Sequence, residues 1–261
     1  MVNTSSTAAV ILAAGSSSRM GGGRHKLLLL LDERPVLAHV IEAALAAQAR
    51  PIVVVLGHQA KQVREQMAAY LERPGVIMVE NRDYLQGMST SMRAGLGVLI
   101  ERNYVEGEQE EKHEGDMEKG KQADGGEEKA REAEEEGDQF EADSALIMLG
   151  DQPLITARVI DTLIDTWRTK RKRIVAPLYG GKRGGPTLFA ASLFGELMEV
   201  SGDEGGRSVL EKHREEVETV EVGDVAASYD VDTWEAYQEV VEEWQKLREN
   251  RGEYSTKKDQ G

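Results

Sequence analysis

Residues Val10–Leu31 read VILAAGSSSRMGGGRHKLLLLL, an apolar run that breaks into glycines and serines and then a guanidinium and an ammonium. Such a turn suits an anion. Ala13, Ala14 and Gly15 let the backbone come close to a ligand, and successive N–H groups, with Ser16 following, can form a nest for phosphate. Arg19 can fork across phosphate oxygens while Lys26 adds a compact charge. Two common phosphate loops do not fit. A Walker loop needs G-x-x-x-x-G-K-[ST]; counted from Gly15, the second glycine position holds Met20, and Lys26 is followed by Leu27. A dinucleotide fingerprint needs G-x-G-x-x-G and an acidic residue closing the next strand; three serines follow Gly15, and that strand ends in Leu56–Gln59, LGHQ. An ordinary mobile loop with surface cations is the plain alternative.

A nest for phosphates gains most from a divalent ion, and the carboxylates for one lie far along the chain. Asp151 follows the apolar run ALIML in a GDQP turn, where it can hold Mg²⁺ with several waters retained or simply bond nearby turn amides. Asp230 and Asp232 alternate in SYDVD, so they face one side of an extended segment. Asp232 is the favoured second ligand, with capping of the following helix as its alternative. Gln86, Gly87, Ser89 and Ser91 lie where LQGM opens a helix, a place for a nucleotide's anionic or base edge or for a plain serine cap. His25, His39, His58, His113 and His213 show no metal-ligand spacing.

The elements that must position these groups alternate. Strands are expected over Ala8–Ala13, Ile52–Leu56, Val76–Val79, Ala145–Leu149, Ile174–Pro177 and Val217–Val222. Helices are expected around Pro35–Gln48, Gln59–Leu71, Ser89–Arg102, Ala157–Lys170, Leu193–Val200 and Thr233–Arg248. Strands separated by helices of this length form right-handed crossovers and a mostly parallel sheet covered on both faces. Ligands then bind at the carboxyl ends of the strands.

The length of 261 residues fits one domain, 1–261, large enough for a substantial core. With no cysteine, disulfides and thiolate metal sites are excluded, which suits a cytoplasmic location. The short apolar run Ala8–Ala14 is read as a buried first strand and not as a signal peptide, and no apolar stretch is long enough to span a membrane. The net charge of −15 is mostly local: residues 104–143 carry 17 acidic side chains against 5 basic ones. That segment cannot bury enough apolar surface to offset its chain entropy and is read as a disordered insertion. Residues 249–261 are read as a polar tail. No basic face suggests nucleic acid; the cations of TKRKR (Thr169–Arg173) suit a helix C-terminus.

The motifs, taken together, resemble one family. LAAGSSSRMGGGRHK is similar to the LAAGxSxRMG…K signature of the molybdenum cofactor nucleotidylyltransferases, MobA-like NTP transferases. LQGMSTSMRAGL, LGDQPLIT, RGGPTLF, SGDEGGRSVL and YDVDTWEAY resemble, in order, its later segments. The resemblance implies a three-layer Rossmann-like nucleotidyltransferase fold with a mostly parallel sheet. It implies transfer of CMP from CTP to the phosphate of molybdopterin with release of pyrophosphate, CTP being associated with the LAAG form and hence with Ala14. It implies nucleotide binding by Leu12, Ala13, Ala14, Gly15, Ser16, Arg19, Lys26, Gln86, Gly87, Ser89, Ser91 and Asp151. Arg19 and Lys26 would do the catalytic work, and Mg²⁺ would sit on Asp151 and Asp232. Gly185, Pro186 and Arg207 would lie on the acceptor side, with a molybdoenzyme or its chaperone receiving the product. Arg207 is equally readable as a plain helix start. Relatives commonly place His where this chain has Gly185, which leaves another small phosphate acceptor open. A nicotinamide-dependent oxidoreductase and a non-catalytic cofactor carrier are the remaining alternatives; the absent ribose carboxylate and the GDQP turn argue against the former.

Overall fold

The computed structural model describes residues 6–20, 25–100, 142–223 and 225–258. Ten strands are present among them: β1 Ser6–Ala13, β2 Leu30–Leu31, β3 Arg34–Pro35, β4 Ile52–Leu56, β5 Val76–Glu80, β6 Ala142–Leu149, β7 Ile174–Tyr179, β8 Lys182–Arg183, β9 Thr187–Ala190 and β10 Val217–Glu221. The α-helices are α1 Val36–Ala46, α2 Ala60–Gln66, α3 Ala68–Leu71, α4 (88–100), α5 Ala157–Lys170, α6 Phe194–Glu199, α7 Arg207–Lys212 and α8 Trp234–Lys258.

The main sheet runs β10-β7-β9-β6-β1-β4-β5, with β8 hydrogen-bonded to β7 and β2–β3 forming a separate hairpin. β1 pairs in parallel with both β4 and β6, β4 with β5, and β10 with β7. The sheet is thus mostly parallel and covered by helices on both faces, as expected. One element was not anticipated: β9 inserts antiparallel between β6 and β7. Its four residues are too few to give a period of their own. After the Gly185–Pro186 turn they double back beside β7, so no helix announces them.

The alternation along β1 builds two cores. Ala9, Ile11 and Ala13 face the cluster made with α1, α3 and α5, while Ala8, Val10 and Leu12 face the one made with α4, α6 and α7. Gly95 of α4 permits the second contact: a Cβ there would stand 2.4 Å from Val10 Cγ1. A third cluster joins α8 to the hairpin through Leu31, Val36, Leu154, Val231 and Val240.

Several boundaries differ from expectation. The helix expected over Gln59–Leu71 breaks at buried Met67 into α2 and α3. Pro35 belongs to the hairpin and only caps α1. α8 runs to Lys258 and so takes up most of the stretch 249–261 read as a polar tail. Ala142 and Asp143, the last two residues of the expected insertion 104–143, open β6; residues 104–141 of it lie outside the described residues, as do residues 21–24 of the glycine loop. Among the described residues no helix is long and apolar enough to cross a membrane.

Candidate functional site

The sheet order reverses at β1. From this strand the chain moves to β4 and β5 on one side and later returns to β6 on the other. The carboxyl ends of β1 and β6 therefore open a crevice, the usual ligand position in such sheets. Main-chain hydrogen bonds fix its walls. Gly150 N–H donates to Leu12 O at 2.9 Å, and His58 N–H donates to Ala14 O at 3.0 Å. Val231 N–H donates to Asp151 O at 2.9 Å, which brings the C-terminal SYDVD segment against the GDQP turn.

The crevice encloses about 480 Å³, within the range of small-ligand sites. Of the residues predicted from sequence, it is lined by Leu12, Ala13, Ala14, Gly15, Ser16, Arg19, Lys26, Gly87, Ser91, Asp151 and Asp232. Gln86 is exposed and donates to Asp83 instead. Ser89 is buried, and its hydroxyl oxygen has no hydrogen-bond partner. Gly185, Pro186 and Arg207 do not line the crevice; the Gly185 carbonyl accepts from Tyr179 Oη at 2.7 Å, and Arg207 is exposed at the start of α7.

Lys26 stands at the centre of the charged floor. Its main-chain N–H donates to Ser17 Oγ at 2.9 Å, and the neighbouring Leu27 is buried, so the loop around it is held at two points. Its Nζ lies 2.5 Å from Asp151 Oδ2 and 2.6 Å from Asp232 Oδ1. Burial works against the ammonium, but the charge of Asp151 and the hydrogen bonds to both carboxylates outweigh it and hold the Lys26 pKa above its ordinary value. Burial would likewise raise Asp232, yet the hydrogen bond and charge of Lys26, with Arg19 3.1 Å away, hold it low. Asp230 shifts the other way: burial, then the charges of Asp151 and Asp232, push its pKa up despite the opposing charge of Lys26. Both Asp230 and Asp232 line the crevice, with Val231 buried between them.

The remaining oxygen of Asp151, Oδ1, is buried without a hydrogen-bond partner among the described residues. A buried carboxylate oxygen without a partner is costly, and Asp151 shares the crevice lining with Asp230 and Asp232. Among the described residues no group of three His, Asp or Glu side chains is arranged to hold a metal by itself. The donor set still fits Mg²⁺ or Mn²⁺, because such ions take one or two carboxylates and complete their shell with water and phosphate oxygens.

Sequence reasoning missed several lining groups: Tyr84, Leu85, Met88 and Leu149, which give the crevice its apolar side, and Asp203. Asp203 approaches from the loop before α7; its Oδ1 accepts from Met88 N–H at 3.1 Å, while Ser89 N–H donates to Gly202 O at 3.0 Å. The first two amides of α4 are therefore engaged by this loop and do not face a ligand. Asp203 lies in the quoted stretch SGDEGGRSVL, but nothing in its spacing says which helix it reaches.

The family of the MobA-like NTP transferase domain matches residues 9–217. No curated protein matches the chain. Among solved structures, the chain is similar to the homolog of Mycobacterium tuberculosis rv0371c from Mycobacterium sp. strain JC1, at 27% identity and TM-score 0.67, covering 92% of this chain and 98% of that one. It is also similar to Rv0371C of M. tuberculosis H37Rv in complex with manganese, at 25% identity and TM-score 0.63, covering 91% and 99%. A nucleotidyl transferase from Methanothermobacter thermautotroptrophicus shares the fold at 18% identity and TM-score 0.65, covering 93% and 99%.

Proposed function

The chain belongs to the MobA-like NTP transferase family, and on that premise we propose that it moves the CMP group of CTP onto the phosphate of molybdopterin, releasing pyrophosphate. The observation that carries the reading is the Lys26 ammonium held between Asp151 and Asp232 on the floor of a crevice walled by the Ala13–Ser16 backbone. The choice of CTP rests on Ala14 in the LAAG form, and the choice of acceptor on the resemblance alone.

Both reactants are anions, so the site must neutralise charge before they can meet, and such transfers are catalysed mainly by positioning and electrostatics. Arg19 and the loop amides hold the β- and γ-phosphates. An oxygen of the acceptor phosphate attacks the α-phosphorus, the bond from that phosphorus to the bridging oxygen of the β-phosphate breaks, and pyrophosphate leaves with the electron pair. Lys26 stabilises the charge that builds on the α-phosphate. Asp151 and Asp232 would hold a divalent ion, consistent with the manganese complex of the similar Rv0371C; when bound, it supplies further neutralisation of phosphate charge. Tyr84, Leu85 and Met88 supply apolar surface to the crevice wall.

The test supplies molybdopterin, Mg²⁺ and each of the four ribonucleoside triphosphates in turn and measures pyrophosphate. Release with CTP alone supports the proposal. Release only with a different phosphate acceptor overturns the acceptor assignment and retains nucleotidyl transfer.

A further inference from the structure

Two loops far apart in sequence interlock at the wall of the crevice. The first, Leu85–Ser89, carries Leu85, Gly87 and Met88 into the crevice wall; the second, 202–205, brings Asp203. Their contact is close at the backbone. A Cβ on Gly87, whose φ is +109°, would stand 2.5 Å from the carbonyl carbon of Gly202 and 2.9 Å from Asp203 Oδ1. A Cβ on Gly205 would stand 2.9 Å from Met88 Sδ. Two hydrogen bonds cross the gap, Met88 N–H to Asp203 Oδ1 and Ser89 N–H to Gly202 O. The first is charge-assisted and the stronger kind.

We infer that Asp203 is a positioning residue for the nucleotide: by accepting the Met88 amide, its carboxylate latches the 202–205 loop to the start of α4 and sets the place of the Leu85–Met88 wall. Three observations support this role over direct chemistry. The carboxylate is engaged with protein, on a different loop from those that carry Arg19 and Lys26. It caps the Met88 amide, and the neighbouring Gly202 carbonyl takes the Ser89 amide, so the first amides of α4 are not free to draw a phosphate and the phosphates are left to the Ala13–Ser16 loop. The side chain it locks in place through the backbone, Met88, is itself a crevice wall. An anion lining an anion-binding crevice repels substrate unless it earns its place structurally, and the latch is that place.

The inference rests on the nucleotide reading above, and its experiment separates the two. Hydrogen exchange of the ligand-free protein reads the latch directly. In Asp203→Ala the Met88 amide exchanges about tenfold faster, as expected for loss of a charge-assisted hydrogen bond, while Asp203→Asn, which keeps an acceptor oxygen at the same place, stays near wild type. Calorimetry with Mg²⁺ and CTP reads the consequence: the dissociation constant rises about tenfold in the alanine variant and is largely restored in the asparagine variant. In turnover with molybdopterin, KM for CTP rises while kcat changes by less than about twofold. Unchanged exchange at Met88 in the alanine variant overturns the latch. An asparagine variant as impaired in binding as the alanine one also overturns it, since the charge itself would then be contacting ligand. If the wild type binds no CTP, the functional reading falls and the exchange measurement alone decides the latch.

Discussion

One carboxylate oxygen of Asp151 lies 2.5 Å from the Lys26 ammonium, while its other oxygen is buried with no hydrogen-bond partner among the described residues. The pair thus combines a satisfied half, which fixes geometry, with an unsatisfied half, which is free to meet a ligand. Replacing Asp151 by Asn removes the charge and keeps the shape. The expected result is a folded protein whose metal-dependent transfer is lost by at least about a thousandfold. Pyrophosphate release, with circular dichroism as a fold control, checks it; full activity would end the metal assignment.

Lys26→Met tests the other half of the pair. The side chain is largely buried, and the substitution leaves two carboxylates without their shared cation. Loss of one positioned charge from such a site lowers kcat by about 10²–10³. Lys26→Arg restores little, because a planar fork does not replace a compact ammonium between two carboxylates. Steady-state kinetics of both variants measure this.

His213 links three surface elements: its ring nitrogens lie 2.9 Å from Glu216 and 3.0 Å from Glu196, near Arg173. Hydrogen bonds to Glu196 and then Glu216 raise the His213 pKa above 6.5, and those to Lys212 and His213 hold Glu196 down at about 2. The histidine contribution is therefore complete below pH 6.5 and lost as the pH rises through the raised folded value. The Glu196 contribution is present above its ordinary 4.5 and lost as the pH falls towards 2. Melting temperatures of wild type and His213→Asn should differ most between about pH 5 and 6.5 and converge in alkaline buffer. A difference that does not vary with pH would disprove the linkage.

Gly95→Ala should destabilise. Alanine improves helix propensity by about 1 kcal/mol, but the added methyl would stand 2.4 Å from Val10 Cγ1 and 3.0 Å from Val55 Cγ2, both in a fully buried layer. Overpacking of that kind costs about 1–3 kcal/mol, so the net effect is a lower melting temperature. Chemical denaturation gives its size.

Deleting residues 106–141 should leave transfer intact, since the closing strand β6 begins at Ala142 and its pairing with β1 is set by its own apolar alternation. Lengthening or shortening a surface loop costs little. Loss of turnover in a folded deletion variant would make the insertion part of the site.

Much of this arrangement was legible because it depends on short-range pattern. The buried parallel strands read as continuous apolar runs in Ala8–Ala13 and Ile52–Leu56, and most residues picked by type in the loop after β1 line the crevice. What failed was of two kinds. β9 was too short for periodicity to register, and its place is set by antiparallel pairing to strands on either side. Asp203 and Gln86 were misjudged or missed because the direction of a loop side chain depends on the loop it meets. Gln86 turns back to Asp83 three residues away, while Asp203 reaches across to α4. Asp230 and Asp232 were readable as a pair, but not the Val231 hydrogen bond that sets them beside Asp151.

That last bond orders events during synthesis. The loop after β1 is made before the Asp151 turn, and that turn before the SYDVD segment, whose Val231 amide pairs with the Asp151 carbonyl. A nascent chain folding in the order of its synthesis therefore carries an incomplete crevice until residue 232 has emerged, and any truncation before residue 230 removes both Asp230 and Asp232 from its lining.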